Sequence, residues 1–322
     1  MGTPDRPRAS VVPPQGIRRV VLCGAGAVGG SYAERLHALD PALLTVVAGG
    51  ERRRRLESDG LSINDCHVPI RCHSPDVPAA PADLLLVAVK QHHLAAAIED
   101  CRKIVGPSTI VVSLLNGISS EVELGRAFGP DRVLPAFVIG NDVLRERNRI
   151  HYANIGRLVF GAPSNDPADP RVVAVKALLD RAGIPSVVPA DILHEQWFKF
   201  MLNVGVNQVS AVLRIPFGAF GQPEVRELIR RAAAEVVAIS GPEGVRLSPD
   251  DPERIFPIIA RLDPGGKSSM LQDVEAGRKT EVEIFAGAVR ELGRRHGIPT
   301  PVNELLGLEI AVLEQRARVR TE

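Results

Sequence analysis

Hydrophobic and polar positions change rhythm a little beyond the middle of the chain. Up to about residue 185, short unbroken runs of Val, Leu and Ile at 19–23, 44–48, 84–89, 110–114 and 133–138 alternate with helical stretches. Such runs suit strands buried on both faces, and the helical crossovers between them suit a parallel sheet. The expectation is an α/β fold with a Rossmann-type doubly wound parallel sheet over residues 17–190. From residue 191 onward long helical patterns follow one another, at 191–213, 224–239, 252–262, 269–296 and 301–318. Breakers separate them: Ile215-Pro216, Gly241-Pro242, Asp263-Pro264-Gly265-Gly266 and Gly297-Ile298-Pro299. An all-α domain over residues 191–322 is therefore expected, with the boundary near 185–191.

Residues 1–16 carry four prolines and three charges and no apolar stretch, so they read as a disordered leader rather than a secretion signal. The apolar runs fall far short of the roughly 20 residues that span a bilayer. A cytoplasmic protein with no membrane association is the expectation. The 322 residues are 45% hydrophobic and 24% charged, with 39 Lys and Arg against 38 Asp and Glu. That balance gives no excess positive field to hold nucleic acid or anionic lipid, which leaves small molecules as the expected partners. Four cysteines lie at uneven spacings without a CxxC pair, so neither a disulfide framework nor a zinc site is expected. Cys66-His67 and Cys72-His73 do place four metal-ligand types within eight residues, but the intervening Val68-Pro69-Ile70 reads as strand or hairpin.

Two segments carry chemistry. The first strand runs into Gly24-Ala25-Gly26-Ala27-Val28-Gly29, at the start of a helical stretch. In that context Gly24 permits a tight turn, Gly26 lets the backbone approach a pyrophosphate, and Gly29 lets the helix pack closely on the sheet. Gly24, Gly26, Ala27, Val28 and Gly29 are the candidate dinucleotide contacts. An NAD-type acidic residue is expected at the end of the second strand, where Glu51 is followed by Arg52-Arg53-Arg54-Arg55. Glu51 leaves NAD open, but arginines at a helix start oppose its dipole, a conflict that a bound 2′-phosphate relieves, so Arg52 and Arg53 favour NADP. Lys90 and Asn116 each follow a buried strand at its carboxyl end, where open α/β sheets bind ligands.

In the second segment, Lys199, Asn203 and Asn207 recur at steps of four within an apolar run. They form one polar stripe on a helix, and such a stripe needs a polar network or a ligand. Farther on, Ser269 with Gln272 fits a helix N-cap and capping box, and an exposed cap can also present its hydroxyl to a carboxylate. Glu281 lies 11 residues after Met270, about three turns along the same expected helix.

These segments together resemble the ketopantoate reductase family over nearly the whole chain beyond the leader: Gly24 to Gly29, Val89-Lys90, Asn116-Gly117, Lys199 with Asn203 and Asn207, and Ser268-Ser269-Met270-Leu271-Gln272-Asp273 with Thr280-Glu281. The resemblance implies a Rossmann domain and a helical domain with the active site in the cleft between them. It implies NADPH-dependent reduction of a 2-keto acid, for ketopantoate giving pantoate in coenzyme A synthesis. It makes Lys199 the general acid and Glu281 the partner of the substrate hydroxyl, both catalytic, with Asn203, Asn207 and Ser269 binding substrate. It places Lys90 and Asn116 at the junction of cofactor and substrate, and it is compatible with a homodimer. Two positions depart from the pattern. Gly49-Gly50 stand where the family often has an arginine, and Phe217 stands ten residues after Asn207, where its best-studied members have an asparagine. An apolar side chain there suits a bulkier or less polar substrate. Two other readings fit the same segments: a dehydrogenase of the 3-hydroxyacid or 6-phosphogluconate type, whose glycine-rich substrate motif is not evident, and a non-catalytic NADP-binding regulator.

Overall fold

The computed structural model describes residues 16–319, so the expected leader lies outside them apart from Gly16. The chain divides into two compact units, one of residues up to 115 with Ser120–Ile192, the other of Asn116–Ser119 with residues from 193 onward. In the first unit the elements run β1 (Val20–Cys23), α1 (Ala27–Leu39), β2 (Leu44–Val47), α2 (Gly50–Asp59), β3 (Leu61–Ile63), β4 (Cys66–Val68), β5 (Cys72–His73), β6 (Leu84–Val87) and α3 (Leu94–Cys101). They continue as β7 (Ile110–Ser113), α4 (Ser120–Phe128), β8 (Val133–Leu134), β9 (Ala136–Ile139), β10 (Leu144–Glu146), β11 (Arg149–His151), β12 (Arg157–Phe160), α5 (Pro170–Arg181) and β13 (Ser186–Val187).

The main sheet has the order β5-β2-β1-β6-β7-β8, every neighbour parallel. Counted along the chain this is the doubly wound order 3-2-1-4-5-6, whose direction reverses between β1 and β6. Alternate residues of each strand enter different cores. Val20, Leu22, Leu44, Val46, Leu84 and Leu86 pack with Tyr32 and Leu36 of α1, whereas Val21, Cys23, Leu85 and Val87 pack with Leu94, Ala97 and Ile98 of α3. Burial on both faces is why these strands are continuous apolar runs.

Two further sheets complete the unit. One, in the order β10-β11-β3-β4, pairs β11 parallel to β3, and its Ile150 sits against α1 at Gly30, where an added Cβ would lie 2.1 Å from Ile150 Cδ1. The other has the order β13-β12-β9. The expected single strand at 133–138 is therefore two strands in two sheets. Pro135 lies between them, and without an N–H it cannot continue a ladder. Cys66-His67 belong to β4 and Cys72-His73 to β5, in different sheets, and among the described residues no cluster of three or more His, Cys, Asp or Glu is placed to hold a metal.

The second unit contains α6 (Ile192–Leu213), α7 (Pro223–Ser240), α8 (Asp251–Ile259), α9 (Ser269–Glu275), α10 (Ala286–His296) and α11 (Pro301–Val319). Every residue of α6 from Met201 to Ser210 is buried. Its Gln208 is fully paired, donating to Asn303 Oδ1 at 2.9 Å and accepting from the Ala286 N–H at 3.1 Å, while Glu235 accepts the first N–H groups of α11 from Val302 and Asn303. The expected continuous helix over 269–296 is broken. Gly277 takes a left-handed φ of 64°, and the Thr280 N–H and hydroxyl both donate to the Glu314 carboxylate, at 2.8 and 2.6 Å, drawing the chain to α11. Among the described residues no helix is long and apolar enough to cross a membrane.

Candidate active site

In the first unit, the reversal point of the sheet is formed by the carboxyl ends of β1 and β6, and the glycine turn emerges there. Gly24 has φ 103°, and a Cβ on it would meet the Ala88 carbonyl oxygen at 2.5 Å. A Cβ on Gly29 would lie 1.9 Å from the Gly24 carbonyl oxygen. Both glycines are thus required by the protein's own packing. Gly26 is different: it is the N-cap of α1 with ordinary φ −79°, no side chain caps the helix, and the nearest atoms to an added Cβ are at 3.9 and 4.0 Å. The first N–H groups of α1, at Ala27 and Val28, begin a 13-residue helix with no acceptor before them in the helix. This open glycine at an uncapped helix start fits a dinucleotide pyrophosphate, because only an incoming group would collide with a side chain there.

The arginine run lies on α2, after Gly49 as N-cap. Arg53 pairs with Glu57 at 2.9 Å and Arg54 with Glu51 at 2.6 Å. Among the described residues no ion pair is formed by Arg52 or Arg55, so of the two candidates Arg53 is ion-paired and Arg52 is not. Lys90 follows β6 and opens a short 3-10 turn, its carbonyl accepting from the His93 N–H at 2.9 Å. Spacing along the chain gave no sign of Arg145. Its Nη1 donates to the Ala25 carbonyl in the glycine turn at 2.8 Å and its Nε to the Arg147 carbonyl at 2.7 Å.

In the second unit, Lys199, Asn203 and Asn207 lie on one face of α6. Asn203 is 3% exposed and Asn207 8%, yet among the described residues neither amide nor the Lys199 ammonium has a hydrogen-bond partner in the protein. Burial brings the Lys199 pKa down to about 8, since a desolvated ammonium is disfavoured relative to the neutral amine. Asn116 belongs to this unit too, and its Nδ2 donates to Glu281 Oε2 at 3.0 Å. Glu281 is not on α9 but opens the 3-10 turn Val282–Ile284 ahead of α10. The expected cap also moves by one residue. Ser268, 3% exposed, accepts from the Leu271 N–H at 3.1 Å, and Gln272 Nε2 donates to the Lys267 carbonyl rather than back to the cap. Ser269 is left exposed at the first position of α9, with its hydroxyl not spent on capping. Phe217 stacks edge-on with Phe220, with ring centroids 5.8 Å apart, and lines an apolar cavity of about 310 Å³ with Phe256, Leu262 and Pro264.

Residues 20–165 match the family model described as ketopantoate reductase PanE/ApbA, and residues 191–314 match its C-terminal model. A 2-dehydropantoate 2-reductase of Halobacterium salinarum is 30% identical over 305 residues, covering 92% of this chain and 99% of the relative. Among solved structures, a PanE/ApbA family ketopantoate reductase from Ralstonia eutropha superposes with a TM-score of 0.79 at 26% identity, covering 93% of this chain and 99% of that one. A D-mandelate dehydrogenase solved with NADH and anilino(oxo)acetate superposes with a TM-score of 0.80 at 19% identity over 93% and 99% of the two chains, a likeness of fold.

Proposed function

The chain belongs to the ketopantoate reductase family, oxidoreductases that reduce a 2-keto acid to a 2-hydroxy acid, and we propose that it does so with NADPH, on ketopantoate or a related acid. The observation that carries this reading is the stripe of Lys199, Asn203 and Asn207, three polar groups on one face of α6 without hydrogen-bond partners among the described residues. Polar groups that the fold does not pair are available to a ligand, and three in one row in an otherwise apolar run favour a ligand over a structural network.

Gly24, Gly26, Ala27, Val28 and Gly29 would hold the dinucleotide, with Arg52, Arg53 and Lys90 supplying positive charge, and the bound nicotinamide supplies the hydride that the carbonyl carbon accepts. Lys199 Nζ donates the proton to the carbonyl oxygen and stabilises the negative charge developing on it. A pKa of about 8 keeps much of this group protonated at neutral pH while making the proton easier to release than that of an ordinary lysine. Asn203 and Asn207 orient the substrate and the ammonium, and the Ser269 hydroxyl binds the carboxylate. Glu281, held by Asn116, accepts from a substrate hydroxyl.

Phe217, which stands where the family's best-studied members have an asparagine, favours a substrate side group less polar than that of ketopantoate. A homodimer accounts for the exposed stripe of Leu305, Leu308 and Val312 on α11, which would otherwise leave a row of large apolar side chains in water. The test of function is oxidation of NADPH and of NADH over a panel of 2-keto acids that includes ketopantoate and benzoylformate. Turnover of at least one acid with NADPH is expected, and binding of NADPH without turnover of any acid would point instead to a regulator.

A further inference from the structure

We propose that Arg145, on the β10–β11 hairpin, joins Arg52 and Arg55 of α2 in holding the 2′-phosphate of NADPH and so sets cofactor choice. The proposal rests on the reading of the glycine turn as a dinucleotide site. Arg145 reaches that turn from 120 residues away in sequence, with Nη1 2.8 Å from the Ala25 carbonyl and within 4.0 Å of where a Cβ on Gly26 would stand. Its side chain is half-buried, and the acceptors it uses are two backbone carbonyls, those of Ala25 and Arg147. A neutral amide could brace the turn as well, so those bonds do not explain the charge.

Two more guanidinium groups stand nearby. The Arg145 pKa is lowered first by burial and then by the charges of Arg52 and Arg55. The carboxylates of α2 do not relieve this crowding, because Glu57 pairs with Arg53 and Glu51 with Arg54. Asp100 feels the charge of Arg52, but no ion pair joins them. Three cations beside a glycine turn, one desolvated and none matched by a carboxylate, make a site for a doubly charged anion, and guanidinium groups grip phosphate oxygens in pairs. The end of β2 and the start of α2 are where a doubly wound sheet reads the adenosine ribose, which selects the 2′-phosphate over the pyrophosphate.

The experiment is titration of the full-length protein with NADPH and with NADH, followed by calorimetry, for the wild type, Arg145→Gln and Arg145→Lys. Arg145→Gln should raise the Kd for NADPH by about tenfold to a hundredfold, the loss of one or two charge-assisted hydrogen bonds, and leave that for NADH within about twofold. Arg145→Lys should recover most of the NADPH affinity. Equal weakening of both dinucleotides would make Arg145 a brace of the turn and overturn the proposal, as would no change in either. Should Arg145→Gln not fold, Arg145→Lys decides alone, because it keeps the charge and cannot make both backbone bonds. Retained preference for NADPH then supports the proposal, and lost preference overturns it. A wild type that binds neither dinucleotide would overturn the underlying cofactor reading itself.

Discussion

Asn116 and Glu281, 165 positions apart, are joined by a hydrogen bond of 3.0 Å from the asparagine amide to the carboxylate. The turn that carries Asn116 follows β7 in the chain and belongs to the second unit. Gly117, with φ 89°, lies against Ile284, and Ile118 joins the helical core. One oxygen of Glu281 is thus held by the Asn116 amide.

Glu281→Ala should therefore raise KM and lower kcat together, because a substrate hydroxyl bonded in both ground and transition states loses a charged acceptor. The expected loss in kcat/KM is about tenfold to a hundredfold. Asn116→Leu should give a smaller change of the same kind, since it removes one hold on the carboxylate and leaves the carboxylate itself in place. Steady-state kinetics on the best 2-keto acid check both. Unchanged constants in Asn116→Leu would mean that the bond does not position Glu281.

The glycine turn allows a sharper separation of folding from binding. Gly29→Ala would drive a Cβ to 1.9 Å from the Gly24 carbonyl and should destabilise the first unit by several kcal/mol, seen as a large fall in Tm. Gly26→Ala meets nothing closer than 3.9 Å at an ordinary φ, so its Tm should stay within a few degrees of wild type. Its affinity for the dinucleotide should nevertheless fall by at least about tenfold, because the methyl group stands where the pyrophosphate approaches. A Gly26→Ala protein that binds NADPH normally would remove Gly26 from the site.

The parallel strands other than β5 were legible because burial on both faces leaves a run such as Leu84-Leu85-Leu86-Val87 without polar interruption. The second sheet was not, because its strands have three residues each and its pairing of β3 with β11 joins positions nearly ninety residues apart. Its hairpin turns rest on residues with positive φ, Asn64 and Asp65 in one and Arg147 in the other, and arginine gives no turn signal. The stripe on α6 could be read from its period of four. The break at Gly277 and the bond from Asn116 to Glu281 could not, since apolar periodicity carries on through the glycine and no spacing rule links residues 165 apart.

The shift of the α9 cap by one residue separates two adjacent serines. Ser268→Ala removes the acceptor of the Leu271 N–H and should cost about 1 kcal/mol of stability, read by denaturant unfolding. Ser269→Ala removes an exposed hydroxyl that caps nothing, so stability should hold while KM for the keto acid rises severalfold. The opposite pattern would show Ser269 to be the structural residue and Ser268 the ligand-side one.

Lys199 offers a test in which activity and stability move in opposite directions. Lys199→Ala should lower turnover by about 10² to 10⁴-fold, the usual contribution of a general acid, and leave NADPH titrations nearly unchanged. In the wild type the ammonium is the competent form for reduction. With its pKa near 8, kcat/KM should be level below that pH and fall about tenfold per unit above it, whereas oxidation of the hydroxy acid should rise through the same pH. The stability argument has its own sign. The folded-state pKa lies below the ordinary 10.5, so the fold disfavours the charged form; this cost is fully present below about pH 8 and disappears as pH rises to about 10.5. Lys199→Met, which removes the buried charge at similar volume, should stabilise the protein at pH 7 by on the order of 3 kcal/mol at most, the free energy of the depressed pKa. The advantage should vanish near pH 10.5. Urea unfolding of both proteins at the two pH values checks this, and a Lys199→Met protein no more stable than wild type at pH 7 would show that the ammonium is solvated, leaving the polar stripe without its reason to await a ligand.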